Sequence, residues 1–249
     1  MLKLEAVNAC YGRVRALADI SLEVAAGEIV AVIGPNGSGK TTLFNCISGS
    51  YHPQKGQITF DGNSLLGLSP DTVAMKGIAR TFQNLRLFMH MTVLDNFLLG
   101  RHVKFRKNPL HAFFRMRREE LTHREKVEEL IDFLQLEAYR MVRISDCPYG
   151  VQKRAEIGRA LALEPKVLML DEPISGLTAE EKQETAYLIN EIRGRFKPTI
   201  LLVEHDLRLA SVLADRMVAL DSGIKIAEGT PDDVQRNPAV IKAYLGEDD

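Results

Sequence analysis

Nine residues, Gly34 to Thr42, read GPNGSGKTT, and the five before them, Ile29 to Ile33 (IVAVI), form an uninterrupted apolar run. A run of that length is expected for a strand buried on both faces of a parallel sheet. The order is therefore strand, glycine-rich loop, helix. Gly34, four residues, then Gly39, Lys40 and Thr41 match the loop whose backbone N–H groups wrap a triphosphate. In that loop the lysine reaches the β- and γ-oxygens and the hydroxyl holds Mg²⁺. Pro35, Asn36, Ser38 and Thr42 complete the candidate nucleotide-binding segment. Gly37 and Gly39 lack a Cβ, so the backbone can close around an anion. A helix starting near Lys40 would add its positive dipole end to the same phosphates.

At 249 residues the chain is long enough to bury a full core. Its formal net charge of −1 gives no global electrostatic case for nucleic acid, and no nucleic-acid partner is expected. The longest apolar runs fall short of the roughly 18 residues a spanning helix needs. The N-terminal MLKLEAVN lacks the layout of a signal peptide, so the chain is expected to stay in the cytosol. Cys10, Cys46 and Cys147 share no metal or disulfide spacing and read as reduced thiols in packed positions.

Along the chain, Leu2, Leu4 and Ala6 alternate with Lys3, Glu5 and Val7, and Ile20, Leu22 and Val24 alternate with Ser21 and Glu23. Two half-buried strands are expected there. Gln57 to Phe60 followed by Asp61-Gly62 predicts a strand entering a tight turn, and Ser69-Pro70 opens a short helix ending at Gly77. Ile78 to Phe82 predicts a strand that leaves Gln83 in its exit loop, and Thr92 caps a helix running toward Gly100. From Arg101 to Arg118 there are seven Lys/Arg and no acidic residue, with Phe105, Phe113 and Phe114 interleaved. That segment reads as a solvated face of a helical subdomain, as a contact with a membrane subunit or lipid head groups, or least readily as a nucleic-acid contact. Val127, Leu130, Ile131 and Leu134 then follow helical spacing.

Gln152 to Leu163 predicts a helix, and Val167 to Leu170 a second buried strand running directly into Asp171-Glu172. Glu180 to Arg193 is helical in pattern. Thr199 to Val203 (TILLV) is a third buried strand and delivers Glu204-His205-Asp206. Asp221-Ser222-Gly223 sits between two apolar segments, which predicts a closing hairpin before a small helical tail ending in Tyr244-Leu245. Strands alternating with helices mean an α/β fold with a mostly parallel sheet. Ligands in such folds sit beyond the carboxyl ends of the strands, where Gly34, Asp171 and His205 all fall.

A phosphate loop serves many reaction classes, and the second carboxylate decides among them. Asp171 ends an apolar strand, as a residue holding Mg²⁺ through water must. Glu172 reads either as a group polarising the attacking water or as an ordinary acid on a solvated strand end. His205 reads either as a γ-phosphate contact or as a structural histidine.

Taken together these residues resemble the ATP-binding cassette family across nearly all of residues 1 to 245. The resemblance implies a P-loop NTPase core, an antiparallel β part and a helical subdomain at about 84–164. All would lie within one nucleotide-binding domain spanning 1–249, with a C-terminal tail at about 229–249. It implies that Tyr11 stacks on adenine and that Gln83 touches Mg²⁺ and feels the membrane subunit. Lys40, Glu172 and His205 are the implied catalytic groups, and Thr41, Gln83 and Asp171 the implied metal ligands. Pro148-Tyr149-Gly150, the insert after Gly100 and the tail EGTPDDVQRNPAVIKAYLG at Glu228 to Gly246 look like the ATPase subunits of branched-chain amino acid importers. Urea-uptake and lipopolysaccharide-transport ATPases share much of that tail.

The family signature Leu-Ser-Gly-Gly-Gln aligns with Cys147, Pro148, Tyr149, Gly150 and Val151, of which only Gly150 matches. The Gly150 N–H and the dipole of a helix starting at Val151 are expected to face the phosphate of the opposite subunit. Thr178 stands where the loop after Glu172 normally ends in Asp. By resemblance the chain forms a head-to-tail homodimer, or pairs with a related ATPase, around two ATP with Mg²⁺. It would work at the cytoplasmic face of the membrane with permease subunits and, indirectly, a periplasmic or extracellular solute-binding protein. A weakly hydrolysing assembly or regulatory subunit is the alternative, motivated by Pro148, Val151 and Thr178. A soluble translation or repair cassette would require two cassettes or a long coiled-coil insertion, and neither is present.

Overall fold

The apolar runs of the sequence become a sheet with a core on each face. In the computed structural model, which describes residues 1–83, 85–104 and 112–245, the strands are β1 (Leu2–Tyr11), β2 (Val14–Val24), β3 (Ile29–Ile33), β4 (Lys55–Phe60), β5 (Asn63–Ser64), β6 (Ile78–Arg80), β7 (Val167–Asp171), β8 (Thr199–Val203), β9 (Arg216–Asp221) and β10 (Ile224–Gly229). One sheet has the order β10-β9-β3-β8-β7-β6, parallel throughout except for the edge strand β10. The other is antiparallel, with the order β2-β1-β4-β5.

The helices are α1 (Lys40–Ile47), α2 (Pro70–Met75), α3 (Val93–Arg101), α4 (Ala112–Phe133), α5 (Tyr149–Leu161), α6 (Ala179–Phe196), α7 (Leu207–Leu213), α8 (Pro231–Gln235) and α9 (Pro238–Leu245). Val30 and Val32 of β3 join a core shared with α1 and the antiparallel sheet, through Leu43, Phe44, Leu4 and Ile20. Ile29, Ala31 and Ile33 point the other way, into a core built with α3, α5 and α6. Burial on both faces is why the run carries no polar alternation. Gly158 of α5 lets α3 come close, since a Cβ there would run into the Phe97 ring.

Three sequence expectations change in detail. Ala6 does not continue the buried alternation of Leu2 and Leu4: it is exposed with φ +47°, and Val7 takes the inward place. The register with β2 shifts between Leu4 and Val7, so a β-bulge resets the pleat. The strand expected over Ile78 to Phe82 ends at Arg80, and the helix expected from Gln152 begins at Tyr149. Within the basic stretch 101–118, residues 105–111 lie outside the described residues. Its first member, Arg101, is not on a solvated face: it is buried, donates to His123 Nδ1 at 3.0 Å and the Ala162 carbonyl at 3.1 Å, and pairs with Glu164. The hairpin β9–β10 forms as expected, its turn carrying Ser222 and Gly223 with φ of +48° and +79°.

Candidate nucleotide site

The parallel strands β3, β8 and β7 are neighbours, so their carboxyl ends bring Gly34, Glu204-His205 and Asp171-Glu172 to one edge of the sheet. The loop after β3 is held from several sides. Gly223 N–H donates to the Ser38 carbonyl at 3.1 Å, and Ser38 N–H to the Pro35 carbonyl at 3.2 Å. Gly39, at φ +105°, opens α1, and a Cβ there would crowd the Ala16 carbonyl. Lys40 is buried and its Nζ donates to the carbonyls of Gly34 (2.7 Å) and Pro35 (2.8 Å). Burial pushes the lysine pKa down, while the nearby charges of Glu172 and Asp171 act in the opposite direction.

Thr41, Gln83 and Asp171 share one cleft of about 370 Å³, lined also by Asn45, Arg80 and Phe82. Asp171 is 2% exposed; its N–H donates to Thr81 Oγ1 at 3.1 Å, and its Oδ2 receives Arg80 Nη2 at 2.9 Å. Its Oδ1 is buried with no hydrogen-bond partner. An orphaned carboxylate oxygen on a cleft that Thr41 and Gln83 also line fits a hard divalent cation, which takes oxygen donors. Among the described residues there is no cluster of three His, Cys, Asp or Glu suited to a metal.

Glu172 has φ +49°, in the left-handed region, and is 8% exposed. A non-glycine residue held there costs about 1–3 kcal/mol, a strain that clusters at functional positions. Gln83 Nε2 donates to Glu172 Oε2 at 3.0 Å, so the loop after β6 touches the residue after β7. His205 is exposed just before α7, whose N-cap Asp206 accepts from Arg208 N–H and Leu209 N–H. Tyr11 is exposed at the end of β1, its ring centroid 4.5 Å from that of Tyr51.

Pro148 and Val151 of the signature segment, and Thr178 after it, each have a local structural task. Pro148 is the N-cap of α5, a position where a missing N–H costs nothing. Tyr149 and Gly150 lie in the first turn of that helix, which starts before both Val151 and Gln152, so Gly150 is helical rather than leading into it. A Cβ at Gly150 would run into the Glu181 carboxylate. Val151 is 4% exposed in the core, and the neighbouring Gln152 Nε2 donates to the Cys147 carbonyl at 2.9 Å. Thr178 is the N-cap of α6: Glu181 N–H donates to its Oγ1, and its own N–H donates to Glu181 Oε2 at 2.9 Å. This reciprocal capping box needs a hydroxyl, and an uncharged one serves.

Sequence reasoning passed over Glu204 and Arg80. Glu204 is fully buried, its Oε1 accepting from Ile174 N–H at 3.4 Å and its Oε2 unpartnered. Burial, with Glu172 and Asp206 nearby, pushes its pKa up to about 8 against hydrogen bonds from Ile174 and His205 N–H. The unfolded chain releases that proton near 4.5, so the folded state binds the extra proton between 4.5 and about 8. Stability therefore falls as pH rises through that window and levels off above it. Glu204→Gln keeps the acceptor for Ile174 and never charges. Urea unfolding is expected to give equal stability at pH 4.5 and a variant more stable than the parent at pH 8.5. Parallel pH profiles would contradict the assignment.

Family models match twice: "ABC transporter" over residues 17–175 and "Branched-chain amino acid ATP-binding cassette transporter" over residues 225–249. The chain is 38% identical, over 99% of its length and 98% of the relative's, to the high-affinity branched-chain amino acid transport ATP-binding protein BraF of Pseudomonas aeruginosa. Among solved structures it superposes with a TM-score of 0.86, at 30% identity and 99% coverage of both chains, on an ATP-binding cassette of an ABC transporter in its ADP conformation. A dimeric cassette in a post-hydrolysis state bound to ADP and Pi matches with a TM-score of 0.79 at 26% identity, covering 93% of this chain and 99% of that one.

Proposed function

The chain belongs to the ATP-binding cassette transporter family, and we propose on that footing that it hydrolyses ATP to power uptake of branched-chain or related amino acids through a separate membrane permease. The observation that carries the ATPase reading is the single cleft shared by Thr41, Gln83 and Asp171, with Glu172 held against Gln83 at its edge. The tail matched by the branched-chain model supports the substrate class. Among the described residues no helix is long and apolar enough to cross a membrane.

In this reading Lys40 and the amides from Gly37 to Thr42 bind the triphosphate, and Tyr11 stacks on the adenine. Thr41, Gln83 and Asp171 would hold Mg²⁺, which when bound neutralises charge on the β- and γ-phosphates. Glu172 orients the attacking water and accepts its proton, and His205 contacts the γ-phosphate. Pro148, Tyr149 and Gly150 face the nucleotide of a second copy, or of a related ATPase, across a head-to-tail dimer. The permease is expected at an apolar groove of about 330 Å³ next to the Gln83 loop, lined by Val73, Phe82, Phe88 and Leu99. There nucleotide state at Gln83 and permease position would be felt together, at the cytoplasmic face of the membrane, with a solute-binding protein on the far side. The whole chain acts as one nucleotide-binding domain, its helical part at about 84–164.

The weakly hydrolysing alternative loses its motive, since Pro148, Val151 and Thr178 each have a structural task. The test is ATP hydrolysis with magnesium by the chain alone and with its co-purified permease, together with leucine uptake in reconstituted vesicles. Lys40→Ala is expected to weaken ATP binding by at least about tenfold, as loss of a charge-assisted contact does, and to remove turnover. Hydrolysis without any leucine, isoleucine or valine uptake would refute the substrate class and leave the ATPase standing.

A further inference from the structure

The C-terminal tail reaches back across the sheet to the phosphate loop. α9 packs on β10 and α8, and its Tyr244 is set partly into the core shared by β9 and α7. The Tyr244 hydroxyl accepts the Gly34 N–H at 2.8 Å, from 210 residues away along the sequence. Burial pushes the phenol pKa up to about 12, so the group stays a neutral hydroxyl at any working pH.

Gly34 is the hinge between the rigid strand β3 and the phosphate-binding turn, and it is fixed on every side. Its φ of +147° suits glycine, and a Cβ would run into the Leu220 carbonyl. Its carbonyl is taken by Lys40 Nζ and its N–H by Tyr244. β3 pairs with β8 only as far as Val32 opposite Val203 and with β9 only as far as Ile33 opposite Ala219, and beyond those last pairs the Gly34 N–H is taken by the tail hydroxyl. The hydrogen bond of the first loop residue thus comes from the segment that the branched-chain model matches.

We propose that Tyr244 is a positioning residue through which the C-terminal tail holds the Gly34 turn in the shape that accepts nucleotide phosphates. The inference rests on the ATP-binding reading of the loop. A loop whose amides are already aimed binds an anion without first being ordered, and freeing its first residue adds that ordering cost to binding. The effect falls on nucleotide affinity, because Tyr244 touches the loop and none of the groups assigned to the reaction. Coupling is reciprocal: if the tail favours nucleotide, nucleotide favours the docked tail.

Tyr244→Phe removes the hydroxyl alone. In the full chain, calorimetric titration with MgADP is expected to show affinity about three- to tenfold weaker, the range of one net hydrogen bond. The KM for ATP should rise by the same factor while kcat stays within about twofold. Equal MgADP affinity in variant and parent, with only the melting temperature lowered, would overturn the proposal and leave Tyr244 a packing residue. A second readout is amide hydrogen exchange in the unmodified protein. MgADP should slow exchange in residues 238–245, and a tail indifferent to MgADP would overturn the proposal even if the variant folds poorly. Failure of the unmodified chain to bind MgADP would instead refute the ATP-binding reading itself, and the inference with it.

Discussion

Replacing Glu172 by Gln is expected to cut ATP turnover by about 10²- to 10⁴-fold, the range attributed to a positioned general base, while leaving ATP bound. The geometry makes the substitution clean. Glu172 is held at φ +49° at the end of β7, and its Oε2 takes the Gln83 amide at 3.0 Å. Glutamine has the same volume, keeps an oxygen for Gln83 and imposes no new backbone demand. What it loses is the capacity to accept a proton from water. In the proposed reading nucleotide binding rests on Lys40 and the loop amides, so it should survive. Two copies closed around ATP should then stay closed, because opening waits on hydrolysis. Gel filtration with ATP is expected to show a persistent dimer for the variant and a monomer for the parent once its ATP is spent. Turnover at the parental rate would remove Glu172 from the reaction.

Which residues the buried strands carry to one edge of the sheet was readable in the sequence. IVAVI, VLML and TILLV are continuous apolar runs because both faces of the sheet are covered, and each hands over to a chemical residue at its carboxyl end. Gly34, Asp171 and His205 follow from that pattern alone. Features set by a single local geometry were not readable. Nothing in LKLEAVNACY announces that Ala6 adopts a positive φ and hands its inward place to Val7. Thr178 was compared with a family position and looked like a missing charge, although Thr-x-x-Glu is itself a capping signature visible at Thr178 and Glu181. Glu204 carried a weak signal, a carboxylate directly abutting TILLV, whose strand continues into burial for one residue more. Tyr244 carried none, because its meaning is a contact made 210 residues away. Arg80 lies at the end of β6, and nothing in the run Ile78 to Phe82 announces that its side chain is buried against Asp171.

Arg80→Met is expected to lower stability by about 3–5 kcal/mol without nucleotide, the usual cost of removing one partner from a buried ion pair. The Arg80 and Asp171 side chains are 6% and 2% exposed, and their 2.9 Å bond is the hydrogen bond that the Asp171 carboxylate makes, its other oxygen being unpartnered. The guanidinium also donates to Asn45 Oδ1 (2.8 Å) on α1 and to Ser48 Oγ (3.0 Å) at its C-cap, and lies over the rings of Phe44 and Phe82. Methionine fills similar volume against those rings but leaves the carboxylate buried and uncompensated. At roughly 2–4 °C per kcal/mol for a chain of this size, the melting temperature should fall by about 6–20 °C. On the proposed role of Asp171, magnesium nucleotide would supply positive charge at the same carboxylate, and the deficit should shrink when MgADP is present. Stripping the metal with EDTA should restore the full deficit. Arg80→Lys should recover part of the loss, since it keeps the charge but cannot bridge Asp171, Asn45 and Ser48 at once. Thermal unfolding of the three proteins with and without MgADP decides the matter. A deficit of equal size in both conditions would mean that Arg80 braces α1 against β6 and has no bearing on the charge at Asp171.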